Sequence, residues 1–484
     1  MSSSSCPHPD SARFLNNPVE FFDCSPRLMH SGGQQRLEAL QLAALRMRFT
    51  HLRDRIPVLT MMSDEQNIHE LTDLDDVVAL LFRHTMYKSY PSALLLDGRF
   101  DQLTRWLDRL TAVDLRRVDT TECDSIDAWL DVLDANTDLR VVHTSGTTGA
   151  MSFLPHTVHD FDKLFQGLRC DVFAPVSPGC GGEEEYCDVL WPTYRYGRSG
   201  MTRCAEFVIR HLAGGSERFH VMMDAPVSAD AVFYASRMAT AQARGERFEA
   251  SPVILRRHEE FQATQRELIA TLPRFVEQCA ELLAAKRVFS IGLWSAYYEM
   301  ATAGRSRGLR DCFAPSSSIW PGGGAKGTGV PDDWEDSVRR FFGVPELQHM
   351  YAMSEVMAFH RLCPSARYHI QPWVVLYVLD PDTGEILPRH GTRTGRAAFF
   401  DLLPDTYWGG FISGDEVSVQ WSPCSCGRTT PSLGKTIRRY SDLRKADDKV
   451  TCVASEQAHR NALDLLAGTG PTGHVPPPGH EGAR

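Results

Sequence analysis

The chain has 484 residues, 43% of them hydrophobic and 23% charged, and a formal net charge of -10, an ordinary globular composition long enough for two or three domains. The acidic balance excludes a global basic field, so neither nucleic acid nor an anionic membrane is expected as the main partner, and no apolar run approaches the ~18 residues of a membrane span. Thirteen scattered cysteines, odd in number, and a polar start with no apolar export segment predict reduced thiols in the cytoplasm rather than a disulfide framework.

In chain order, residues 1–33 are rich in Ser, Pro and Asn and read as a flexible N-terminal arm. A helical subdomain is expected over 34–138: Leu37, Leu40 and Leu45 recur at helical spacing between Gln35 and Phe49, and Phe100, Leu103, Trp106, Leu107 and Leu110 repeat the pattern. Asp124-Ser125 reads as the N-cap of a further helix that buries Trp129, Leu130 and Leu133, after which Leu139–Val142 turns to strand character. Over 139–372 strands and helices alternate. Strands are expected at Val221–Met223, Val288–Ile291 and Leu347–Met350, and helices at Ala229–Arg244, Glu259–Lys286, Trp294–Met300 and about Asp332–Phe342. That alternation predicts an α/β core with a mostly parallel sheet, whose ligands bind outside the carboxyl ends of the strands. From 373 to 440 the texture is antiparallel β, with a hairpin of Val374–Leu379 and Ile386–Pro388 around the turn 380–385, and a strand at Gly395–Leu402. The last segment, 441–484, carries one helical stretch around Ala454–Leu466 before a Gly/Pro/His tail expected to be disordered.

One stretch stands out within this frame. Val141-Val142-His143-Thr144-Ser145-Gly146-Thr147-Thr148-Gly149-Ala150 places glycines and hydroxyls directly after a β-prone run, a composition suited to cradling anionic oxygens. No Gly-Lys-Ser/Thr follows, so it is not the Walker loop. By itself it is equally an ordinary polar turn.

Four stretches in fixed order carry a resemblance: Thr144–Gly149, Gly322–Gly327, Tyr351-Ala352-Met353-Ser354-Glu355 and Ser413-Gly414-Asp415. Together they resemble the adenylate-forming superfamily of acyl-CoA ligases over about residues 135–445. Cys424-Ser425-Cys426-Gly427-Arg428-Thr429 is similar to the phenylacetate-CoA ligase branch, and Gly322–Gly327 to the bioluminescence acyl-protein synthetase. The fold this implies is the large N-terminal domain of an adenylate-forming enzyme, α/β subdomains plus a β subdomain, here with a much-shortened C-terminal domain. By the same resemblance Thr144, Ser145, Gly146, Thr147 and Thr148 hold the β/γ-phosphates of ATP, and Glu355 ligates Mg²⁺. Gly322, Gly323, Gly324 and Ala325 lie along the adenine, and Tyr351 packs on its other face with Ser354 beside it. Asp415 accepts the ribose hydroxyls. The implied catalytic residues are Glu355, Thr147 and Thr148, because attack of a carboxylate on the α-phosphate must overcome charge repulsion.

The sequence also departs from that pattern. Ala150-Met151-Ser152 stands where the family continues with proline and lysine, and Arg438–Asp442 resembles the hinge with its arginine displaced. Only a short stretch follows, so the lysine of the family's lid is missing; Lys326, Lys435, Lys445 or a partner protein are its candidate replacements. Cys424 and Cys426 in C-x-C spacing, with Cys363 and His369, suit a structural Zn²⁺, His360 being the spare ligand, or they are reduced thiols and an unrelated Cys–His pair. The activity implied is ATP-dependent adenylation of a carboxylic acid followed by acyl transfer to a thiol of CoA, a carrier protein or a partner reductase, with Cys452 a candidate acyl-carrying thiol. An amide- or ester-forming ligase and a non-catalytic nucleotide-binding scaffold are the alternatives. Trp191, Tyr194, Tyr196, Trp294, Tyr297 and Tyr298 either line an acyl pocket for an aromatic or short acid or belong to the core.

Overall fold

The computed structural model describes residues 9–144, 150–173, 186–245, 252–323, 329–441 and 456–467. The expected flexible arm is, over its described part, three short helices: α1 (Pro9–Asn16), α2 (Pro18–Phe21) and α3 (Pro26–Met29). The residues that suggested a loose segment are the ones that start these helices. Prolines stand in the first turn, where their missing N–H costs nothing, and the side chains of Asn17 and Ser25 cap the free amides of α2 and α3. Phe14, Val19 and Met29 are buried, with Phe14 edge-on to Phe21 and Phe22.

Helices α4 (Gln34–Leu52), α5 (Pro57–Glu65), α6 (Ala93–Leu96), α7 (Phe100–Asp108) and α8 (Ile126–Asn136) follow, interrupted by β1 (Phe82–Arg83). Ser125 caps α8 by accepting from Ala128 N. These helices share one apolar core with the antiparallel sheet described below. Phe49 of α4 lies edge-on to Trp408, Trp408 Nε1 donates to Leu80 O (2.8 Å), and Tyr377 Oη donates to Leu74 O (2.6 Å).

The Gly/Ser/Thr stretch leaves β2 (Val142–His143), which pairs antiparallel with β3 (Phe153–Leu154) and not with the larger sheet. After α9 (Val158–Phe173) come β4 (Asp188–Tyr196), α10 (Gly200–Val208), β5 (Phe219–Pro226), α11 (Ala229–Arg244), α12 (Pro252–Leu282), β6 (Val288–Leu293), α13 (Trp294–Arg305), β7 (Ser318–Gly322) and α14 (Trp334–Phe342). The four strands form an all-parallel sheet in the order β5-β4-β6-β7, as a strand–helix alternation demands. Tyr297 of α13 locks onto it: its hydroxyl meets Ser290 Oγ (2.8 Å), and Ser290 Oγ donates to Leu190 O (2.6 Å).

A hairpin of β8 (Met350–Met353) and β9 (Val356–Arg361) leads to β10 (Arg367–His369), β11 (Val374–Leu379), β12 (Thr392–Asp401), β13 (Gly410–Gln420), β14 (Ser432–Gly434) and β15 (Arg438–Arg439). The second sheet runs β10-β14-β13-β12-β11, with β1 and β15 also on β13. The expected hairpin partner 386–388 of β11 is not a strand, since β11 pairs with β12 from Val374↔Asp401 to Leu379↔Arg396 and Ile386 makes a single bridge to Leu379. Asp380 Oδ1 takes the amides of Asp382 and Thr383, and Pro388 has no amide to extend a ladder. The helix Glu456–Ala467 packs on α5. Among the described residues no helix is long and apolar enough to cross a membrane.

A buried charged group sits where α9 meets this sheet. Thr157 N donates to Asp160 Oδ2 (2.9 Å) and Asp160 N to Thr157 Oγ1 (3.2 Å), a reciprocal cap, while Asp160 Oδ1 has no hydrogen-bond partner among the described residues. Burial, reinforced by Asp405, pushes the Asp160 carboxyl up to about 7. With the folded value above the unfolded one, the native state holds an extra proton between about pH 4 and 7, so this group's contribution is present below that window and lost as pH rises through it. Asp160→Asn keeps the cap acceptor and removes the titration. Its melting temperature should gain on the wild type more at about pH 8 than at about pH 5; an equal difference at both would refute the burial argument.

Candidate functional site

The β8–β9 hairpin has Ser354 and Glu355 at its tip. The tip is held from two sides. His156 Nε2 donates to Ser354 O (2.8 Å), and Tyr407 Oη meets His156 Nδ1 (2.9 Å). The carbonyl fixes the tautomer, so Tyr407 donates; burial keeps the ring neutral, its pKa pushed down to about 4. Gly200, the first residue of α10, lies between Ser354 and Val142, and a Cβ there would meet Ser354 Oγ at 3.2 Å and Val142 Cγ1 at 3.8 Å. The strand that delivers the Gly/Ser/Thr stretch and the tip that carries Glu355 therefore meet at one helix N-terminus. Burial raises the Glu355 carboxyl above its ordinary value, opposed by Arg439 and Lys88 and reinforced by Asp415.

Tyr351 and Asp415 are brought into direct contact. Tyr351 Oη donates to Asp415 Oδ2 (2.8 Å), and Arg439 Nε pairs with Asp415 Oδ1 (2.9 Å). Asp415 is aimed by β13, where its amide donates to Ser413 Oγ (3.2 Å) and Ser413 Oγ donates to Ala397 O (2.7 Å). Arg439 arrives because β15 pairs with β13 at Asp415↔Arg439, anchored by the Arg396 guanidinium 4.3 Å over the Tyr440 ring. Tyr351 stacks at 6.1 Å on His360, whose Nδ1 accepts from Gln371 N and whose ring also bonds the backbone of His369; His360 stands outside the Cys363, His369, Cys424 and Cys426 cluster. Burial and Asp415 hold the Tyr351 phenol well above its ordinary pKa.

Thr144 pairs with Ser152: Thr144 Oγ1 accepts from Ser152 N (3.0 Å), which leaves its hydrogen to donate, and Thr144 N donates to Ser152 O (3.1 Å). Ser145, Gly146, Thr147, Thr148 and Gly149 lie outside the described residues, as do Gly324, Ala325, Lys326, Gly327, Asp442, Lys445, Cys452 and the tail from 468. Gly322 ends β7, where a Cβ would meet Met350 Cε at 3.7 Å, and Gly323 has φ 87° with Leu293 Cδ2 at 3.0 Å from any Cβ, so only glycine fits at 323. Lys435 is exposed. Trp191, Tyr194 and Tyr297 are core, whereas Tyr196 is 49% exposed and Trp294 pairs with Trp334 beside Gly323.

Sequence reasoning missed Lys88. It ends a single 3₁₀ turn, Met86–Lys88, whose flanking rings are both anchored: Tyr87 Oη donates to Trp408 O (3.3 Å) and Tyr90 Oη to Met151 O (2.7 Å). That places Lys88 beside the exit of the Gly/Ser/Thr stretch and within the field of Glu355, which holds its ammonium up while burial lowers it. The only trace in sequence is the pair of aromatic residues around it.

A second cluster lies at the far end of β13. Cys363, His369, Cys424 and Cys426 bring their ligand atoms within 4.8 Å of one another. Cys363 and Cys424 each open a tight turn (Cys363 N to Arg367 O, 2.8 Å; Cys424 N to Arg428 O, 2.9 Å). The Cys363 and Cys424 sulfurs are 3.9 Å apart, and Cys426 Sγ is 3.3 Å from His369 Nε2. Tetrahedral zinc with bonds of about 2.3 Å to sulfur and 2.0 Å to nitrogen spans edges of about 3.8 and 3.5 Å, close to the 3.9 and 3.3 Å of these two pairs, so the cluster suits such an ion. Burial and the Arg428 guanidinium push His369 down to about 4, leaving it neutral, the form that ligates.

No protein-family model matches the chain, and no curated protein matches it in sequence. Solved structures do. The chain is similar to 2-hydroxyisobutyryl-CoA ligase in its postadenylation state with R3-HIB-AMP (14% identity, 86% of this chain and 70% of that one, TM-score 0.52). It is similar to the same enzyme's open conformation with 2-HIB-AMP and CoA (14%, 86% and 77%, TM-score 0.51), and to its thioesterification state (15%, 91% and 73%, TM-score 0.50). At such identity the likeness speaks for architecture alone: the chain shares the fold of that ligase over most of its length.

Proposed function

We propose that the protein activates a carboxylic acid with ATP, forming an acyl-adenylate and pyrophosphate, and passes the acyl group to a thiol. The observation that carries this reading is the convergence of Tyr351, Asp415 and Glu355 beside the neck of the Gly/Ser/Thr stretch and the end of β7. Asp415 is a two-oxygen acceptor of the kind a ribose diol needs. Its present partners, Tyr351 and Arg439, are donors that the hydroxyls would join or replace. Glu355 is the carboxylate available to Mg²⁺, which when bound neutralises phosphate charge. Lys88 is the fixed cation on the same side, in a site whose loop lacks the family's lysine. The hydroxyls of Ser145, Thr147 and Thr148 complete the phosphate cradle. The Cys₃His cluster holds a structural Zn²⁺: all four positions are protein side chains, leaving none open for water or substrate.

The acceptor best supported is CoA, because the structurally similar ligase is seen with CoA and an acyl-AMP; a carrier protein or reductase partner is the competing acceptor. Acid-dependent exchange of labelled pyrophosphate into ATP, screened over aryl and alkyl acids, tests the first half-reaction. Exchange with no acid at all in the screen would sink the proposal. Within that assay Lys88→Met should raise the KM for ATP by roughly tenfold or more, the value of one charge-assisted contact. An unchanged KM would remove Lys88 from the site.

A further inference from the structure

The metal cluster does not end at its four ligands. Thr430, buried two residues past Arg428, places Oγ1 3.3 Å from His369 Nδ1 and 2.8 Å from His30 Nδ1. All three side chains are at most 3% exposed, and the His30 and His369 rings meet edge-on at 5.7 Å. The backbone repeats the connection: Thr429 N donates to His30 O (2.8 Å), and the single hydrogen of Thr429 Oγ1 is shared between His30 O and Gly32 O.

We propose that Thr430 and His30 form the outer shell of the metal centre, and that the metal thereby fastens the N-terminal segment 9–33 to the protein. The chemistry runs one way. His369 Nε2 faces Cys426 Sγ, so its lone pair there goes to the ion and its proton sits on Nδ1. That N–H faces Thr430, with Oγ1 at 3.3 Å and the Thr430 backbone as a second acceptor, and the hydroxyl hydrogen of Thr430 is free for the unprotonated Nδ1 of His30. The relay fixes the tautomer and plane of His369, the usual task of a metal ligand's second hydrogen bond. His30 closes α3 and Gly33 precedes α4, so the segment carrying Phe14, Val19 and Met29 is tied to the metal loop at its carboxyl end. By linkage, whatever ordering the segment gains from the metal, the metal gains in affinity from the segment. His30 and Thr430 are positioning residues, not ligands.

This inference rests on the cluster holding zinc, and the two can fail separately. Zinc affinity is measured on the full chain by competition with a chromogenic chelator. His30→Ala and Thr430→Val should each weaken zinc by roughly 10- to 100-fold. Thr430→Ser, which keeps the hydroxyl, and His30→Asn, which keeps an acceptor near Nδ1, should stay close to the wild type. Should the two disruptive variants fail to fold, hydrogen exchange on the wild type gives the same answer: chelation should speed exchange in residues 9–33 while Val374–Leu379 stays protected. Wild-type affinity in both disruptive variants, or unchanged exchange over 9–33 on chelation, overturns the outer-shell assignment. A wild type that binds no zinc overturns the metal reading itself, and this inference with it.

Discussion

Glu355→Gln is expected to reduce acid-dependent ATP–pyrophosphate exchange by about 100-fold or more, the loss that follows removal of one electrostatic stabiliser from a phosphoryl site. The side chain keeps its shape, and the hairpin tip does not depend on its charge: the tip is held through Ser354 O, His156 and Tyr407, and by the close fit at Gly200. Burial raises the Glu355 pKa, which means the folded protein works against its ionised form. An amide relieves that cost, so the melting temperature should hold or rise while turnover collapses. The opposite split, with stability lost and exchange near normal, would make Glu355 a structural carboxylate paired with Lys88 and Arg439. The magnesium assignment would then be wrong, although the adenylation reading would survive in the Asp415 side of the site.

How far the sequence foretold this arrangement depends on the range of the interactions. Ala229–Arg244 is a helix over its expected span, and Val288–Ile291, Trp294–Met300 and 332–342 lie within or nearly coincide with observed elements; their signal is local periodicity, as the Ser125 cap is the local signal for α8. Pairing is not local. The expected strand 347–350 lies three residues too early, because β8 is defined by its ladder to β9 from Met350↔Arg361, which periodicity in a short apolar run cannot place. β2 joins a two-stranded ribbon rather than the parallel sheet for the same reason. The arm failed differently: Pro, Ser and Asn mark both loops and helix starts, and only the burial of Phe14 and Val19 separates the two. In the site, Asp415 came forward through the family resemblance and the Cys-x-Cys pair through its spacing. Lys88 and His30 did not, since each acts through a partner hundreds of positions away and stands in no motif.

Cys424→Ser should cost zinc and stability together. Cys424 and Cys426 lie beyond β13, Cys363 lies in the turn between β9 and β10, and His369 ends β10; β10 is tied to β13 through the three-residue β14 and through Arg367, which donates to Ser418 O (3.5 Å), and Ser425 Oγ donates to Ser365 Oγ (2.8 Å) at the surface. A shared ion in the proposed site would cross-link two segments distant in sequence, as a disulfide would, under reducing conditions. Serine is a poor zinc ligand and leaves two thiols, one imidazole and a gap. The expected loss is several kcal/mol of unfolding free energy, with zinc falling well below one per chain. Cys204→Ser is the control: its thiol donates to Gly200 O (2.9 Å) within α10, a contact serine preserves, and it should change neither zinc nor stability appreciably. Because the ion has no open position, the surviving folded fraction of Cys424→Ser should still exchange pyrophosphate, the Asp415 end of β13 being fixed by Ser413 and β12 rather than by the metal turn. Elemental analysis of protein purified without added metal decides the matter: a wild type with only traces of zinc, or a Cys424→Ser variant with a full complement, would retire the site.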